Sequence, residues 1–437
     1  MTKFLIQRVV SLLLTMAFVS VVVFALSEIA PGNIAINTLG NNITPEQEAS
    51  FNKQNGLDQP PATRYLRWVL GSDWQAAQRI GRPVVRVVEA DRQRYSWWRQ
   101  EPDGGLTQHY SPDGAQIVER RRQPDGTVTE TLLGDEVWRP DPDDPGRLIF
   151  WGVNPSGRAA MWVKGQQAVE WTPELASWTS ALGAPEQYIP LQLGLLRGDP
   201  GVSFLTRRPV TETFLPRLRN TALLAGLAFA VVMPLALLLG VIAGLNEGRW
   251  LDRALSLGGL VTTATPEFVS GTLLVLIFSQ WLGLLPGAVV VANENALFEQ
   301  PQMLILPVLT LTLAELGYVL RITRASMVEV MRTNYIRTAV LKGLPRWRIV
   351  LRHALRNALM APITVIMLHV NWLVGGIVIV ESVFGFPGLG SYILDAALFK
   401  DVFVIEAATM ALIVVAVGTQ LLADVAYTFL NPRIRFA

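Results

Sequence analysis

Long apolar runs alternate with polar stretches along the chain. The first run extends from Val9 to Leu26 behind the basic residues Lys3 and Arg8. Five more follow, at about 220–244, 256–282, 303–322, 358–380 and 403–430. At about 1.5 Å of rise per residue, each run is about long enough to cross a hydrocarbon core of about 30 Å as an α-helix. The pattern predicts an all-α polytopic membrane protein with six transmembrane helices.

The first apolar run has two possible interpretations. Ala25-Leu26-Ser27 resembles a small-residue cleavage site, so a cleaved signal peptide is the alternative to a membrane span. The apolar core of a signal peptide usually has about 7 to 15 residues, and this run is longer. We therefore expect residues 1–30 to hold a retained first transmembrane helix.

Composition agrees with a membrane location and excludes several function classes. The chain of 437 residues is 51% hydrophobic and 16% charged, whereas soluble proteins average about 25% charged residues. Its 37 basic and 35 acidic residues nearly balance, which argues against nucleic-acid binding by bulk charge. The chain has no cysteine, which excludes disulfides and thiolate metal sites.

Basic residues predict the orientation. Between the fourth and fifth runs lie Arg321, Arg324, Arg332, Arg337, Lys342, Arg346, Arg348, Arg352 and Arg356, opposed only by Glu329. Loop 283–302 has no lysine or arginine. Because basic residues in short loops favour the cytoplasmic side, we place the basic loop and both termini in the cytoplasm. The five later runs then form a core domain at 218–437, with the basic loop at about 324–356.

The segment 31–217 then falls on the extracytoplasmic side by parity. Its middle part contains the triplets Pro102-Asp103-Gly104, Pro112-Asp113-Gly114 and Pro124-Asp125-Gly126 among many tryptophans. An Asp-Gly pair flanked by alternating residues favours a β-hairpin. We predict a β-rich extracytoplasmic insert at about 73–170. A disordered polar loop is the alternative, and the high aromatic content argues against it.

One stretch of the basic loop carries the most specific motif. It runs from Asn334 through Tyr335-Ile336-Arg337-Thr338-Ala339-Val340-Leu341-Lys342-Gly343-Leu344-Pro345, and His353-Ala354-Leu355-Arg356-Asn357 follows. This order resembles the coupling loop of permease subunits in binding-protein-dependent ABC importers of the oligopeptide and dipeptide type. A basic cytoplasmic loop without a partner would explain the charges, but it would not explain the order of the residues.

The resemblance implies which residues contact an ATPase. They are Tyr335, Arg337, Thr338, Ala339, Lys342, Gly343, Leu344 and Pro345. A short helix that ends at Gly343 suits a partner's groove, and we expect the small Ala339 to let the helix backbone approach that partner closely. Val340 and Leu341 depart from the small or charged residues that are more usual in the family.

Further matches extend the resemblance to about 1–70 and 191–437. Val380-Glu381-Ser382-Val383-Phe384-Gly385-Phe386-Pro387-Gly388 is similar to the external loop after the fifth span of peptide permeases. An ordinary extracellular turn is the alternative.

Ionisable residues within a membrane span are costly and mark function, so Glu315 and His369 join this loop as pathway or gate candidates. The candidates are Glu315, His369, Glu381, Phe384, Pro387 and Gly388, with Glu381 expected at the external interface. For Glu315, a structural pairing with Arg321 or with a partner helix is the alternative.

The resemblance also implies an assembly. In it the chain would pair with a second permease, whether homologous or identical, in the inner membrane of a prokaryote. Two ATPase subunits would bind ATP and Mg, and an extracytoplasmic solute-binding protein would deliver peptides, while this chain would bind no cofactor. Oligosaccharides, nickel chelates and peptide-like antibiotics are alternative solutes.

Missing motifs limit the chemistry of the chain. It has no Gly-x-x-x-x-Gly-Lys-Ser/Thr phosphate loop, no His-Glu-x-x-His and no Gly-x-Ser-x-Gly. We therefore predict no catalytic or metal-ligating residue, which argues against an intramembrane hydrolase. A membrane-anchored receptor that uses the insert is the other alternative, and the coupling-loop motif argues against it.

Overall fold

The computed structural model places the chain in two compact units. It describes residues 2–80, 82–88, 95–110, 117–133, 138–140, 146, 148–153, 159–163, 169–170, 181–182, 189–290 and 296–430. One unit, called the loop unit here, comprises Val21–Thr213 and Phe399–Ala407. The other, called the bundle unit, comprises Met1–Ser20, Phe214–Leu398 and Ala408–Ala437.

Helices open the chain as far as residue 80. They are α1 (Thr2–Ile29), α2 (Ile34–Leu39), α3 (Pro45–Gln54), α4 (Pro61–Leu70) and α5 (Asp73–Ile80). Asn33 caps α2, because its side chain accepts hydrogen bonds from the amides of Ala35 and Ile36. Phe24, Ile34, Phe51, Phe204 and Val402 are among the buried residues of the apolar core of the loop unit.

Strands follow α5 in the loop unit. They are β1 (Val84–Val88), β2 (Tyr95–Gln100), β3 (Leu106–Tyr110), β4 (Ile117–Arg122), β5 (Val128–Leu133), β6 (Arg139–Pro140), β7 (Leu148–Val153), β8 (Ala159–Val163), β9 (Val169–Glu170), β10 (Ala181–Leu182) and β11 (Ile189–Pro190). The first five form one antiparallel sheet in sequential order, and β6 to β9 form another. The predicted range 73–170 begins with a helix, because Asp73–Ile80 is α5. The side of the membrane on which these strands lie stays a prediction.

Two of the Pro-Asp-Gly triplets form the predicted hairpin turns. At Gly126 the amide donates to the carbonyl of Gln123, and the Gln123 amide donates to Thr127 at 2.8 Å. Gly104 and Gly126 have φ of 81° and 90°. A tight turn followed by a left-handed residue is a common three-residue hairpin loop, which explains the triplet. The triplet at Pro112-Asp113-Gly114 lies outside the described residues.

The two ends of the strand region meet at a closed stem. The Ser72 amide donates to the Gln192 carbonyl at 2.9 Å, and the Gln192 amide donates to the Ser72 hydroxyl at 3.0 Å. A Cβ on Gly71 would lie 2.3 Å from the Leu193 carbonyl oxygen, so only glycine allows this backbone crossing. The strand region therefore leaves and rejoins the helical part of the loop unit at one place.

The remaining helices continue the chain from residue 210. They are α6 (Val210–Leu245), α7 (Trp250–Ala264), α8 (Glu267–Trp281), α9 (Ala296–Glu299), α10 (Ile305–Met331), α11 (Asn334–Leu341), α12 (Arg346–Ala358), α13 (Met360–Phe384), α14 (Leu389–Phe399) and α15 (Val402–Leu430). In the part of the chain that the structure describes, 4 helices have the length and apolar character of a span, or up to 7 if each bent pair counts as one. The predicted six falls within these limits.

The predicted span at 256–282 is broken. α7 and α8 meet at an angle of 105° instead of forming one straight helix. The break falls at Thr265, which is extended with φ −91° and ψ 122°, immediately before Pro266. A residue before proline is disfavoured in helical conformation, and proline has no amide to continue the helix. The apolar sequence therefore continues without interruption, but the Thr265-Pro266 pair divides it into two helices.

Helix α10 packs closely against α6 and α7. A Cβ on Gly317 would lie 1.8 Å from the Gly259 carbonyl oxygen of α7, and a Cβ on Gly240 of α6 would lie 2.5 Å from Thr323 Cβ. Both crossings therefore require glycine. Because α11 follows α10 after a short turn, this tightly packed helix fixes the position of the predicted coupling loop.

Candidate functional site

Helix α11 carries the motif of the predicted coupling loop and has one buried side. Ile336 and Ala339 are 2% and 8% exposed and pack in a cluster with Met327 of α10 and Ile349 of α12. Burial of these apolar side chains holds α11 against the end of α10. The expectation for Ala339 is wrong, because Ala339 faces the chain's own core and is not part of the exposed surface.

Gly343 ends α11 in the way that the sequence indicates. Its φ is +69°, and a Cβ there would meet nothing within 4 Å. The Gly343 amide donates to Val340 at 2.9 Å, and the Leu344 amide donates to Ala339 at 3.3 Å. These two bonds form a Schellman motif, which satisfies the last carbonyls of the helix and reverses the chain. Leu344 packs against the buried cluster, so it belongs to the anchor of the loop.

The opposite side of α11 is exposed. Arg337, Thr338, Lys342 and Pro345 are exposed, and Val340 and Leu341 are 57% and 80% exposed. Tyr335 is also exposed, and its hydroxyl accepts a hydrogen bond of 2.8 Å from the Asn357 amide group of α12. Two large apolar side chains between two cations form a surface that a partner with an apolar, acidic groove would fit.

Two arginines of the basic loop pair with acidic residues that sequence reasoning missed. Arg324 of α10 makes two hydrogen bonds to the Asp252 carboxylate, at 2.5 and 2.7 Å, and Asp252 also accepts from the Gly248 amide at 2.9 Å. Arg332 donates to Glu247 at 2.6 Å. The basic loop is therefore opposed by more than Glu329. Partners 72 and 85 residues away leave no local signal in the sequence.

The external-loop motif forms a network around one buried carboxylate. Glu381 is fully buried and accepts from the Thr221 hydroxyl at 2.6 Å and from the Ser391 amide at 3.0 Å. The Thr221 hydroxyl also accepts from the Leu389 amide at 2.7 Å. These bonds satisfy amides at the start of α14, as a helix cap does. Glu381 therefore lies in the interior of the bundle unit, and its expected depth at the external interface of the membrane stays a prediction.

The other candidates in this loop are also packed inward. Phe384 is fully buried in an apolar cluster of the bundle unit, and a gate role for it stays a prediction. The Pro387 carbonyl accepts from the Asn220 side chain at 2.9 Å. A Cβ on Gly388 would lie 2.0 Å from Glu381 Oε1, so glycine is required beside the carboxylate. Thr221 and Asn220 were missed, because they lie in α6 far along the sequence.

The structure describes the side chain of Glu315 but not that of His369. Glu315 lies in α10 and is 1% exposed, as expected for an ionisable side chain that faces the interior of a bundle. Whether it reaches the solute stays a prediction. His369 lies in α13, but its side chain is outside the described part of the structure.

Comparison with known proteins assigns the chain to a family. Residues 236–436 match the model of the binding-protein-dependent transport system inner membrane component, and residues 1–83 match the N-terminal model of the same membrane component. A putative peptide transport system permease protein of Brucella abortus is 36% identical over 242 residues, covering 55% of this chain and 77% of that protein. The chain belongs to this family of permeases.

Other permeases of the family give similar figures. The dipeptide transport system permease protein DppB of Escherichia coli is 32% identical over 273 residues, covering 57% of this chain and 80% of DppB. The glutathione transport system permease protein GsiC of Pectobacterium atrosepticum is 36% identical over 257 residues, covering 58% of this chain and 80% of GsiC. The solved MetNI methionine ABC transporter aligns with a TM-score of 0.40 and 16% identity over 51% of this chain and 96% of the MetNI chain. With so low a TM-score, the assignment rests on sequence.

The family models leave the strand region unmatched. The N-terminal model ends at residue 83, after α5 and immediately before β1, and the second model begins at residue 236. α5 therefore belongs to the matched part of the permease, although the predicted insert includes it. Strands β1 to β11 all lie between the two matched regions.

Proposed function

We propose that this permease imports peptides across the inner membrane, driven by ATP hydrolysis on separate ATPase subunits. The observation that carries the proposal is the surface of α11, in a chain whose relatives include peptide and dipeptide permeases. Its buried side is fixed to α10, and its other side presents Val340 and Leu341 between Arg337 and Lys342. This arrangement suits transfer of motion from a partner to the bundle.

The ATPase contact involves the exposed part of the motif. Arg337 and Lys342 would make charge-assisted hydrogen bonds to acidic groups, while Leu341 would enter an apolar groove. Gly343 reverses the chain, so Pro345 and α12 would lead back toward the membrane. ATP and Mg would bind to the ATPases, and this chain would contribute the mechanical link.

The rest of the assembly follows from the family. A second permease would complete a central pathway, and an extracytoplasmic binding protein would deliver the solute. Both termini would lie in the cytoplasm, and the strand region would lie outside, where the closed stem at Ser72 and Gln192 lets it be added without disturbing its neighbours. Alternating access would then move solute past α10, which places Glu315 as a candidate for the pathway.

Two other functions are alternatives to peptide import. Permeases of this kind for oligosaccharides, nickel chelates or peptide-like antibiotics would share the coupling surface, so only the solute distinguishes them. A membrane-anchored receptor would use the strand region and would need no ATPase contact. The exposed apolar residues Val340 and Leu341 favour a transporter, because solvent exposure of large apolar side chains side by side indicates a docking surface.

Reconstitution tests the proposal directly. The permease would be assembled in proteoliposomes with its second permease, ATPases and binding protein, and uptake of labelled dipeptides, a nickel chelate and an oligosaccharide would be compared. We expect ATP-dependent uptake of peptides alone. ATP-dependent uptake of another solute class would show that this class, and not peptides, is the substrate. Assembly without any ATPase contact would favour the receptor.

A further inference from the structure

Helix α12 has an exposed basic side that the proposed coupling surface does not use. Its buried side consists of Ile349, Ala354 and Ala358, which are 3%, 0% and 1% exposed. Its exposed side carries Arg348, Arg352 and Arg356, spaced four residues apart. The middle of α12, Ile349–Ala354, is a π-helical turn, so the register of the buried side changes along the helix.

These arginines differ from two others of the same loop. Arg324 and Arg332 form ion pairs with Asp252 and Glu247. By contrast, Arg348, Arg352 and Arg356 have no acidic partner among the residues that the structure describes. Like charges four residues apart on a helix repel each other. An external anion would remove this repulsion, and nothing in the described chain does so.

Large apolar side chains lie beside the arginines. Trp347 and Leu351 are 62% and 60% exposed, and the Arg348 guanidinium lies 5.4 Å from the centre of the Trp347 ring. Tryptophan is typical of the membrane interface, where an apolar ring and a polar edge both find partners. Helices that lie in the interface combine such residues with a basic face.

The position of α12 favours the membrane over another protein. α12 leads directly into α13, with a bend of 46° between Arg346–Ala358 and Met360–Ile366. An arginine cluster adjacent to a spanning helix lies at the level of lipid phosphates, which arginine binds with two parallel hydrogen bonds. The ATPase surface proposed above lies on α11, before the reversal at Gly343.

We propose that the exposed side of α12 binds the phosphate headgroups of anionic phospholipids at the cytoplasmic membrane face. Arg348, Arg352 and Arg356 hold the phosphates, and Trp347 and Leu351 enter the acyl boundary. The binding fixes the bend between α12 and α13 at a constant depth. This inference needs only that α12 lies where α13 enters the bilayer, and it is independent of the transported solute.

Lipid retention by the complete transporter tests the inference. The assembled complex would be reconstituted with phosphatidylglycerol and phosphatidylcholine and extracted, and the bound phosphatidylglycerol would be measured by native mass spectrometry. We expect retention to fall by about fivefold for each arginine replaced by glutamine, since each cation near an anionic surface contributes about 1 kcal/mol. High salt should weaken retention in the wild type, because it screens exposed charges.

Three variants separate the explanations. R348Q/R352Q/R356Q should lose phosphatidylglycerol, whereas R348K/R352K/R356K should keep most of it. R122Q removes one exposed arginine from β4, which does not adjoin a spanning helix, and should retain lipid as the wild type does; it is the matched control for single R352Q. If the triple glutamine variant does not assemble, single R352Q should still show the loss.

Three outcomes would overturn the inference. One is equal retention by the triple glutamine variant and the wild type, and a second is an equal loss of phosphatidylglycerol in R352Q and R122Q. The third is release of the ATPase subunits with unchanged phosphatidylglycerol, which would assign α12 to the ATPase contact. Lipid retention is measured without transport, so its failure is distinguishable from failure of the proposed peptide import.

Discussion

The predicted coupling loop and the predicted external loop are both short motifs that follow a long apolar helix, yet their side chains face opposite ways. In the coupling loop, Arg337, Leu341 and Lys342 face solvent and leave a surface for a partner. In the external loop, Glu381 and Phe384 are fully buried and bind or pack within the chain. A motif that resembles a family pattern therefore identifies an important segment, but it does not tell whether the segment serves a partner or the fold.

The largest effect should come from removing the carboxylate of the external loop. In Glu381→Ala, the Thr221 hydroxyl and the Ser391 amide would lose their buried acceptor. A buried group left without its partner costs about 1 to 3 kcal/mol, so we expect a loss of the order of 3 kcal/mol and failure to assemble. Thermal unfolding in detergent would measure it.

A control sharpens this first prediction. Glu299→Ala removes an exposed carboxylate from α9 of the same unit and should leave thermal stability unchanged. If Glu381→Ala keeps normal stability but abolishes uptake, then Glu381 acts in the pathway and the contrast between the two loops is wrong.

The second prediction concerns the coupling loop, where folding should survive and function should fail. In Gly343→Ile, a branched side chain would occupy a residue with φ +69°, which is unfavourable for any residue with a Cβ. We expect this strain to cost about 1 to 2 kcal/mol of stability and to leave the protein folded, because a Cβ at this position has open space, while the transport rate per ATP hydrolysed falls at least several-fold. Parallel measurement of uptake and ATPase rate would show it.

Gly248 provides a matched control for that variant. It has φ +75° and no atom within 4 Å of a Cβ, but it lies in the turn between α6 and α7. Gly248→Ile should carry the same backbone strain without uncoupling. Equal uncoupling in both variants would mean that strain, and not the ATPase contact, is responsible.

The sequence was sufficient for features that depend on neighbouring residues. Apolar runs coincide with helices such as Ile305–Met331, the two Asp-Gly pairs that the structure describes form hairpin turns, and Gly343 ends α11. Features that depend on distant partners were missed. Thr221 and Glu381 are 160 residues apart, so burial of the carboxylate has no local sign. The bend at Pro266 was missed for a different reason, because membrane helices tolerate proline and the apolar run continues through it.

The third prediction tests whether the extracytoplasmic side also has a partner surface. Removal of residues 84–189, which leaves α5 in place, with a short glycine linker should preserve the bundle, because Ser72 and Gln192 are already hydrogen bonded. Uptake supplied by the binding protein should fall, while ATPase activity and thermal stability remain. Unchanged uptake would exclude a docking role for the strand region, and protease access from the cytoplasm to this region in the intact protein would refute its placement.

The fourth prediction concerns Glu315, which neither loop contains. In Glu315→Gln the side chain keeps its size and loses its charge. We expect a reduced rate of uptake or a changed preference among peptides if the carboxylate reaches the solute. Uptake of a set of charged and neutral dipeptides would measure the change. Normal uptake together with lower thermal stability would show that Glu315 has a structural role like that of Glu381.

The smallest effect should come from Asp401, a second buried carboxylate at the start of a helix. Asp401 immediately precedes α15, and it accepts from the Ser203 hydroxyl at 2.6 Å and from the Leu205 amide at 3.3 Å. Burial raises the pKa of this carboxyl above its ordinary value, although these hydrogen bonds oppose the rise. The folded state therefore binds a proton more tightly than the unfolded state. Stability from this group is highest at low pH and falls as pH rises from the ordinary pKa of about 4 through the raised pKa.

Asp401→Asn keeps an acceptor but does not ionise, so the stability of the variant relative to wild type should increase over that pH range. Thermal unfolding of both proteins across that range would measure the difference, with the exposed Asp395→Asn as a control. A relative stability that does not change with pH, or that changes in the opposite direction, would contradict the burial argument.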